Sequence, residues 1–210
     1  MPFFDAPRRL RQPDITREKI LQAAFHEIYR HGFQAASLDA ILGGAGVTKG
    51  ALYHHFPSKA ALGHAVVDEV ITGFLVKRWS GSVRDDPADP LAALQEVLRH
   101  RAADVSPDEA ELGCPLNNIA QEMSPLDEEF RRRIDAAYER WIALFAGALE
   151  AAERAGTVRP GVDARRVATL LVATIEGSYS LAKGRRDIAV LQSNLGMQVE
   201  YLEGLRARAA

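Results

Sequence analysis

A single cysteine, Cys114, stands in the whole chain. That excludes an intrachain disulfide and a Cys-rich metal site, and it fits a reducing compartment. No segment approaches the roughly 18 consecutive apolar residues of a membrane span. The arginine-bearing first twelve residues are followed by no apolar stretch of signal-peptide length. These absences lead to the expectation of a cytoplasmic protein, neither exported nor inserted. Strand-like alternation bounded by hairpin turns is also missing, as are internal repeats and any low-complexity segment beyond the alanine-rich tail. What remains is apolar residues recurring at three- and four-residue spacing almost everywhere, which predicts an all-α fold.

The 210 residues suffice for one large or two modest domains whose cores need no metal or disulfide. A hydrophobic fraction of 47% beside 26% charged residues is that of an ordinary globular chain. The net charge of −2 hides a division: residues 1–60 hold eight Lys/Arg against five Asp/Glu, or +3, and the rest carries −5. A basic first part points weakly towards nucleic acid.

Helix boundaries are legible, and they number nine helices. The first begins near Thr16, carries Ile20, Leu21, Ala24, Phe25 and Ile28 on one face, and stops at Gly32. Ser37 caps a second through Leu42. Ala45, Gly46 and Val47 make a corner, Thr48 caps a third through His55, and Pro57 ends it. Ser58 caps a fourth to about Trp79. A loop over 80–90 precedes a fifth helix from Leu91 to about Asp104, and a second loop contains Pro107 and Gly113. A short sixth helix follows from Pro115 to Met123. The seventh starts on the Ser124, Pro125, Asp127 signal and ends at Gly156. The eighth and ninth, from Asp163 to Lys183 and from Asp187 to about Arg206, are separated by Gly184.

The second and third helices span only Ser37 to Phe56, the proportions of a helix-turn-helix whose second helix enters the major groove. Thr48, Lys49, Gly50 and Ala51 offer a hydroxyl, a cation and two small residues that let the backbone approach base edges. Lys49, Tyr53, His54 and Lys59 suit phosphate oxygens. Leu52 and Phe56 read as core. The segment Ser37 to Ala65 (SLDAILGGAGVTKGALYHHFPSKAALGHA) resembles the DNA-binding motif of TetR-family regulators nearly position for position. Thr16 to Ala24 (TREKILQAA) and Gly32-Phe33 are similar to that family's first helix and its end. The resemblance implies a homodimer of nine-helix subunits: an N-terminal helix-turn-helix domain over 1–58, with residues 1–13 a flexible basic arm, and an effector-binding and dimerisation domain over 59–210. It implies a palindromic operator and a small-molecule effector that releases it; no cofactor or metal is expected. DNA contact is implied for Thr16, Arg17, Ser37, Thr48, Lys49, Gly50, Ala51, Tyr53, His54 and Lys59. Gly43-Gly44 depart from the pattern; two glycines each cost about 1 kcal/mol against alanine in a helix and weaken that end. Arg8, Arg9 and Arg11 read either as an arm for a neighbouring minor groove or as a solvated tail.

Beyond residue 80 the sequence offers two features. Leu112 to Pro125 interrupts an apolar pattern with Cys114, Asn117, Asn118 and Gln121, either the polar edge of a cavity or a set of buried caps and interhelical hydrogen bonds. Cys114 itself reads as a thiol open to electrophiles just before a helix, or as a small buried hydrophobe. Phe74, Trp79, Leu98, Trp141, Phe145, Ile175 and Tyr179 read as the wall of a pocket for an apolar or aromatic ligand, or as plain core. Arg131, Arg132 and Arg133 read as a solvated face with Glu128 and Glu129. On the two last helices, Val167, Leu170, Leu171, Thr174, Ile175, Ser178, Leu191, Leu195, Val199 and Leu202 provide apolar surface for a twofold mate.

Enzymatic chemistry finds no support. Gly44 to Lys49 has lysine where a dinucleotide loop needs its third glycine, and His26 and His31 lie five residues apart, about 140° round a helix, too far to share zinc. A helical adaptor without DNA contact is the remaining alternative.

Overall fold

The computed structural model describes residues 12–80 and 88–207. Arg8, Arg9 and Arg11 and their proposed arm lie outside them. Every expected helix is present: α1 Gln12–His31, α2 Leu38–Ala45, α3 Lys49–His55, α4 over 59–80, α5 Pro90–Ala103, α7 Pro115–Met123, α8 Glu128–Arg154, α9 Ala164–Arg185 and α10 Ile188–Glu203. One further short helix, α6 Pro107–Leu112, occupies the segment expected to be a loop. Among the described residues the sole β feature is an isolated bridge between Val158 and Arg206, and no helix is long and apolar enough to cross a membrane. They form two compact units, residues 12–74 with 115–137 and residues 75–80 and 88–114 with 138–207.

In the first unit α1 buries Ile20, Leu21, Ala24, Phe25 and Ile28, the expected face. It starts four residues before Thr16 because Pro13 is tolerated in a first turn, where its missing N–H had no partner to lose. Gly32 ends it at φ 82°, left-handed backbone that favours glycine. The Glu122 carboxylate of α7 then accepts from the Phe33 and Gln34 backbone N–H groups at 2.8 Å each. Ser37, Thr48 and Ser58 cap α2, α3 and α4 as expected, each accepting from the N–H three residues on. Gly46, at φ 64°, closes α2. Gly43 and Gly44 are both helical, and a Cβ at Gly44 would lie 3.4 Å from that of Ala23 on α1.

Helix α4 comprises Lys59–Ala65, a π turn over Val66–Ile71 and Thr72–Ser80. At the π turn the Thr72 hydroxyl donates to the Val67 carbonyl at 2.7 Å. Its consecutive acids face different helices: Glu69 takes both Arg17 guanidinium nitrogens at 2.6 and 2.5 Å, and Asp68 pairs with Arg133 of α8. Arg133 is therefore no part of a merely solvated face, although Arg131 and Arg132 do pair along α8 with Glu128 and Glu129. At Gly63 an added Cβ would strike the Phe33 ring and lie 2.7 Å from the Phe130 Cζ, so α4 passes these rings at a distance only glycine allows.

Helix α8 begins at Glu128, not at Ser124. Residues 124–126 prolong the end of α7, and Asp127 is the cap, accepting from the Glu129 and Phe130 N–H groups at 2.8 and 3.0 Å.

In the second unit, Ser106 and Glu109 form a reciprocal capping box that starts α6. Gly184 lies inside α9, and the turn falls at Arg186 with φ 53°, which leaves Asp187 placed to cap α10. Most residues expected at a dimer interface are core of one subunit instead: Val167, Leu171, Ile175, Ser178, Leu191, Leu195 and Leu202 are all buried. Helix α10 packs on α5 and on α9, and α9 packs also on α6, within the unit. The apolar side chains that α9 and α10 leave exposed are Leu170, Leu181, Met197 and Tyr201.

Candidate nucleic-acid interface and buried polar site

Helix α3 is seven residues long, too short to persist alone, and is anchored from beneath by Leu52, 1% exposed. Phe56, which caps its end, is buried as expected. The outer side is different in kind. Thr48, Lys49, Gly50, Tyr53 and His54 are all exposed, and Ala51 is half-buried. The Lys49 ammonium lies 6.0 Å from the Tyr53 ring centroid. A Cβ at Gly50 would meet only the Thr48 Oγ1, 3.9 Å away, so nothing inside the protein requires glycine there and its smallness matters only to what approaches from outside.

The other expected DNA residues are drawn into the protein's own contacts. Arg17 pairs with Glu69, which holds its guanidinium above its usual range, and stacks 5.1 Å from the Phe56 centroid. Lys59 donates to the Gln34 carbonyl at 2.9 Å and lies over the Phe33 ring. Ser37 is the α2 cap, and its own N–H donates to Glu27 at 3.0 Å. Thr16 is half-buried on α1.

The expected effector residues separate between the units. Phe74, Asn117, Asn118 and Gln121 belong to the first; Asn117 and Gln121 hydrogen-bond one turn apart at 3.5 Å, and Gln121 is exposed. Trp79, Leu98, Cys114, Trp141, Phe145, Ile175 and Tyr179 belong to the second, where all are buried. Trp79 is the hub of an aromatic cluster, 5.1 Å from the Trp141 centroid and 5.8 Å from that of Phe145.

Sequence reading missed the polar groups buried beside them. The Cys114 thiol donates to Glu176 Oε1 at 3.2 Å, and burial pushes the Glu176 carboxyl up to about 7. Burial, with Glu176 and Cys114 adding to it, also raises the Tyr138 hydroxyl. Arg101 is 2% exposed, and its guanidinium lies 5.8 Å from the Trp79 centroid. It reaches Glu109 at 3.4 Å, and Arg78 pairs with the same carboxylate oxygen. Tyr179 is pushed up to about 12, first by burial and then by Glu109. The signal for Glu176 was its place four residues after buried Val172, at core spacing.

An exposed, cation-bearing short helix on a two-helix corner defines a helix-turn-helix DNA-binding regulator. The comparisons place it further. Residues 20–66 match the model of the bacterial regulatory proteins of the TetR family, and residues 90–194 that of the LmrA/YxaF-like transcriptional regulator C-terminal domain. The chain is 32% identical to an HTH-type transcriptional regulator of the lacX 3′ region of Lactococcus lactis subsp. lactis, over 87% of this chain and 90% of that one. Among solved structures it is similar to a TetR transcriptional regulator from Chloroflexus aurantiacus, at TM-score 0.81 and 25% identity over 95% and 100% of the two chains. The regulator CifR, solved as a cysteine mutant with 26-base-pair operator DNA, shares the fold at TM-score 0.74 and 22% identity over 93% and 98%. The chain belongs to the TetR family of transcriptional regulators, ligand-responsive DNA-binding proteins that are not enzymes.

Proposed function

We propose that the protein is a cytoplasmic repressor that holds a palindromic operator as a homodimer and releases it when a small molecule enters its second part. The exposed strip Thr48, Lys49, Gly50, Tyr53 and His54, anchored from below by Leu52, carries this reading. Residues 1–58 are the DNA-binding part and 59–210 the effector-binding and dimerisation part. Lys49, Tyr53 and His54 meet phosphates flanking the groove, and Gly50 and Ala51 let the backbone close on base edges. Lys59 gives one of its three N–H donors to Gln34 and Arg17 two of its five to Glu69, so each keeps donors for the DNA backbone. Ser37 sits at the start of α2, where backbone N–H groups favour phosphate, and Thr16 lies in the second turn of α1.

The exposed Leu170, Leu181, Met197 and Tyr201 support pairing through α9 and α10. A twofold pair meets two half-sites about one helical turn apart. The aromatic cluster around Trp79 supports an apolar or aromatic effector in preference to an electrophile, since Cys114 is 3% exposed. An effector that binds better to the form with unsuitable recognition-helix spacing must weaken DNA binding, and DNA must weaken effector binding equally.

The test is selection of genomic fragments by the purified protein, followed by footprinting. A protected, twofold-symmetric sequence that Lys49→Ala and Tyr53→Ala no longer select is the expected result. Selection of no fragment, or unchanged selection by both variants, refutes the reading.

A further inference from the structure

In the first unit a groove of about 560 Å³ runs between α1 and α2, with Lys19, His26 and Arg30 along one wall and Gly43, Gly44 and Gly46 along the other. Positions 19, 26 and 30 fall within about 40° of one another round a helix, and the steps from Lys19 to Arg30 rise about 16 Å. Both cations are exposed, and neither meets an acceptor among the described residues. The groove's carboxylate is engaged elsewhere: Glu27 Oε1 accepts from the Ser37 N–H at 3.0 Å, and Oε2 lies 3.9 Å from His31 Nε2. Burial, with Arg30 beside it, lowers His26, so that imidazole is largely uncharged at pH 7.

The opposite wall is bare without an internal reason. A Cβ at Gly43 would meet nothing within 4 Å, and one at Gly44 only the Ala23 Cβ at 3.4 Å. Both residues stand in helical backbone, where glycine destabilises, and of the three only Gly46 has the left-handed φ that favours it. A side chain at position 43 would fit and would strengthen α2. Its absence leaves room for something that comes against the backbone from outside.

Two cations so far apart suit a repeating anion better than a single small one, and DNA is the polyanion that this family binds. Neither Lys19 nor Arg30 is among the positions for which the family resemblance implies DNA contact. We propose that the α1–α2 groove holds a second stretch of DNA backbone, with Lys19 and Arg30 on separate phosphates and the bare α2 wall admitting the sugar-phosphate chain. The inference rests on the reading of this unit as operator-binding and adds to it a grip that is blind to sequence.

The test is the affinity of the full-length protein for its selected fragment and for an unrelated duplex of equal length, between about 0.05 and 0.2 M salt. Lys19→Gln with Arg30→Gln should weaken both DNAs alike, by at least about tenfold at the low-salt end, and lower the salt slope by about two. The melting temperature should stay the same. Gly43→Gln gives α2 a better helix former and fills the groove; it should melt no lower than the wild type and bind both DNAs less tightly. Wild-type affinity and slope in the double variant overturn the inference and leave the operator reading intact. Failure of the wild type to select any fragment refutes the operator reading, and the unrelated duplex still decides the groove. Loss confined to the selected fragment, or wild-type affinity in Gly43→Gln, also overturns the inference. So does polyglutamate that binds the wild type and not the double variant while DNA affinity is kept, which would assign the groove to an acidic protein.

Discussion

The two units both carry ion pairs at the surface, but among the described residues only the second also buries charged side chains. In the first, ion pairs lie at the surface: the Arg17 and Glu69 side chains are 37% and 44% exposed, and those of Arg133 and Asp68 34% and 39%. In the second, the Arg101 side chain is 2% exposed and that of Glu109 12%, and Glu176 is buried beside Cys114. A charge in water is held weakly and can be shared with a newcomer at little cost. A buried one must be matched by the interior or by something brought in. The first unit thus presents its charges outward, and the second holds some of its own inside.

Four experiments can break or sharpen that contrast. The largest effect belongs to the outward face. Lys49→Ala with Tyr53→Ala should lower affinity for the selected DNA by about 3 kcal/mol, roughly a hundredfold, and flatten its salt dependence. Thermal stability should barely change, and a large fall in melting temperature would show these residues to be structural.

Next comes the inward carboxyl. Glu176 is raised from an ordinary 4.5 to about 7, so between those values the folded form holds more protons than the unfolded. Stability must then fall as pH rises through the window, at about 1.4 kcal/mol per unit, or roughly 3 kcal/mol in all. Urea midpoints at pH 5 and 7.5 should show this slope in the wild type and its loss in Glu176→Gln. Equal slopes in both proteins would mean that the carboxyl is not buried as described.

Gly63→Ala should cost about 1–3 kcal/mol, because the Phe33 and Phe130 rings must move to admit one carbon. An unchanged urea midpoint would contradict that close approach. The smallest effect is expected at the surface pair. Glu69→Ala should cost less than about 1 kcal/mol of stability, and by freeing Arg17 it should leave DNA affinity equal or improved. A marked loss of affinity would show that Arg17 must be held by Glu69 to contact DNA.

What could be read from the sequence was local. Ser37, Thr48, Ser58, Asp163 and Asp187 each bond a backbone N–H two or three residues away, so the caps and the whole α2–α3 corner lie open in the order of residues. Glu122 reaches Phe33 and Gln34 from 89 and 88 positions away, Glu69 reaches Arg17 from 52, and Cys114 reaches Glu176 from 62. No spacing rule announces such partners. Seven of the ten interface residues named on the last two helices proved buried for a related reason, Leu170 remaining exposed: one apolar stripe serves an internal neighbour and a second subunit equally well until the internal packing is known. Helix α6 was a different miss, since the Ser106–Glu109 box was present but the nearby Pro107 and Gly113 pointed to a loop.

The π turn of α4 accounts for an oddity in the spelling of that helix. Its buried residues recur every four positions, Leu62, Val66, Val70 and Phe74 in one row and Gly63, Val67 and Ile71 in the next. An ordinary helix closes a turn in 3.6 residues, so a strict period of four would wind each row about 40° further round at every step. The wider turn takes up that drift, and both rows stay against the core. Uniform winding over the same twelve steps would carry Phe74 about 120° away from Leu62, whereas a helix one residue shorter would hold the two within about 20° without any widening, so the π turn is where this helix stores one residue more than its buried side has room for.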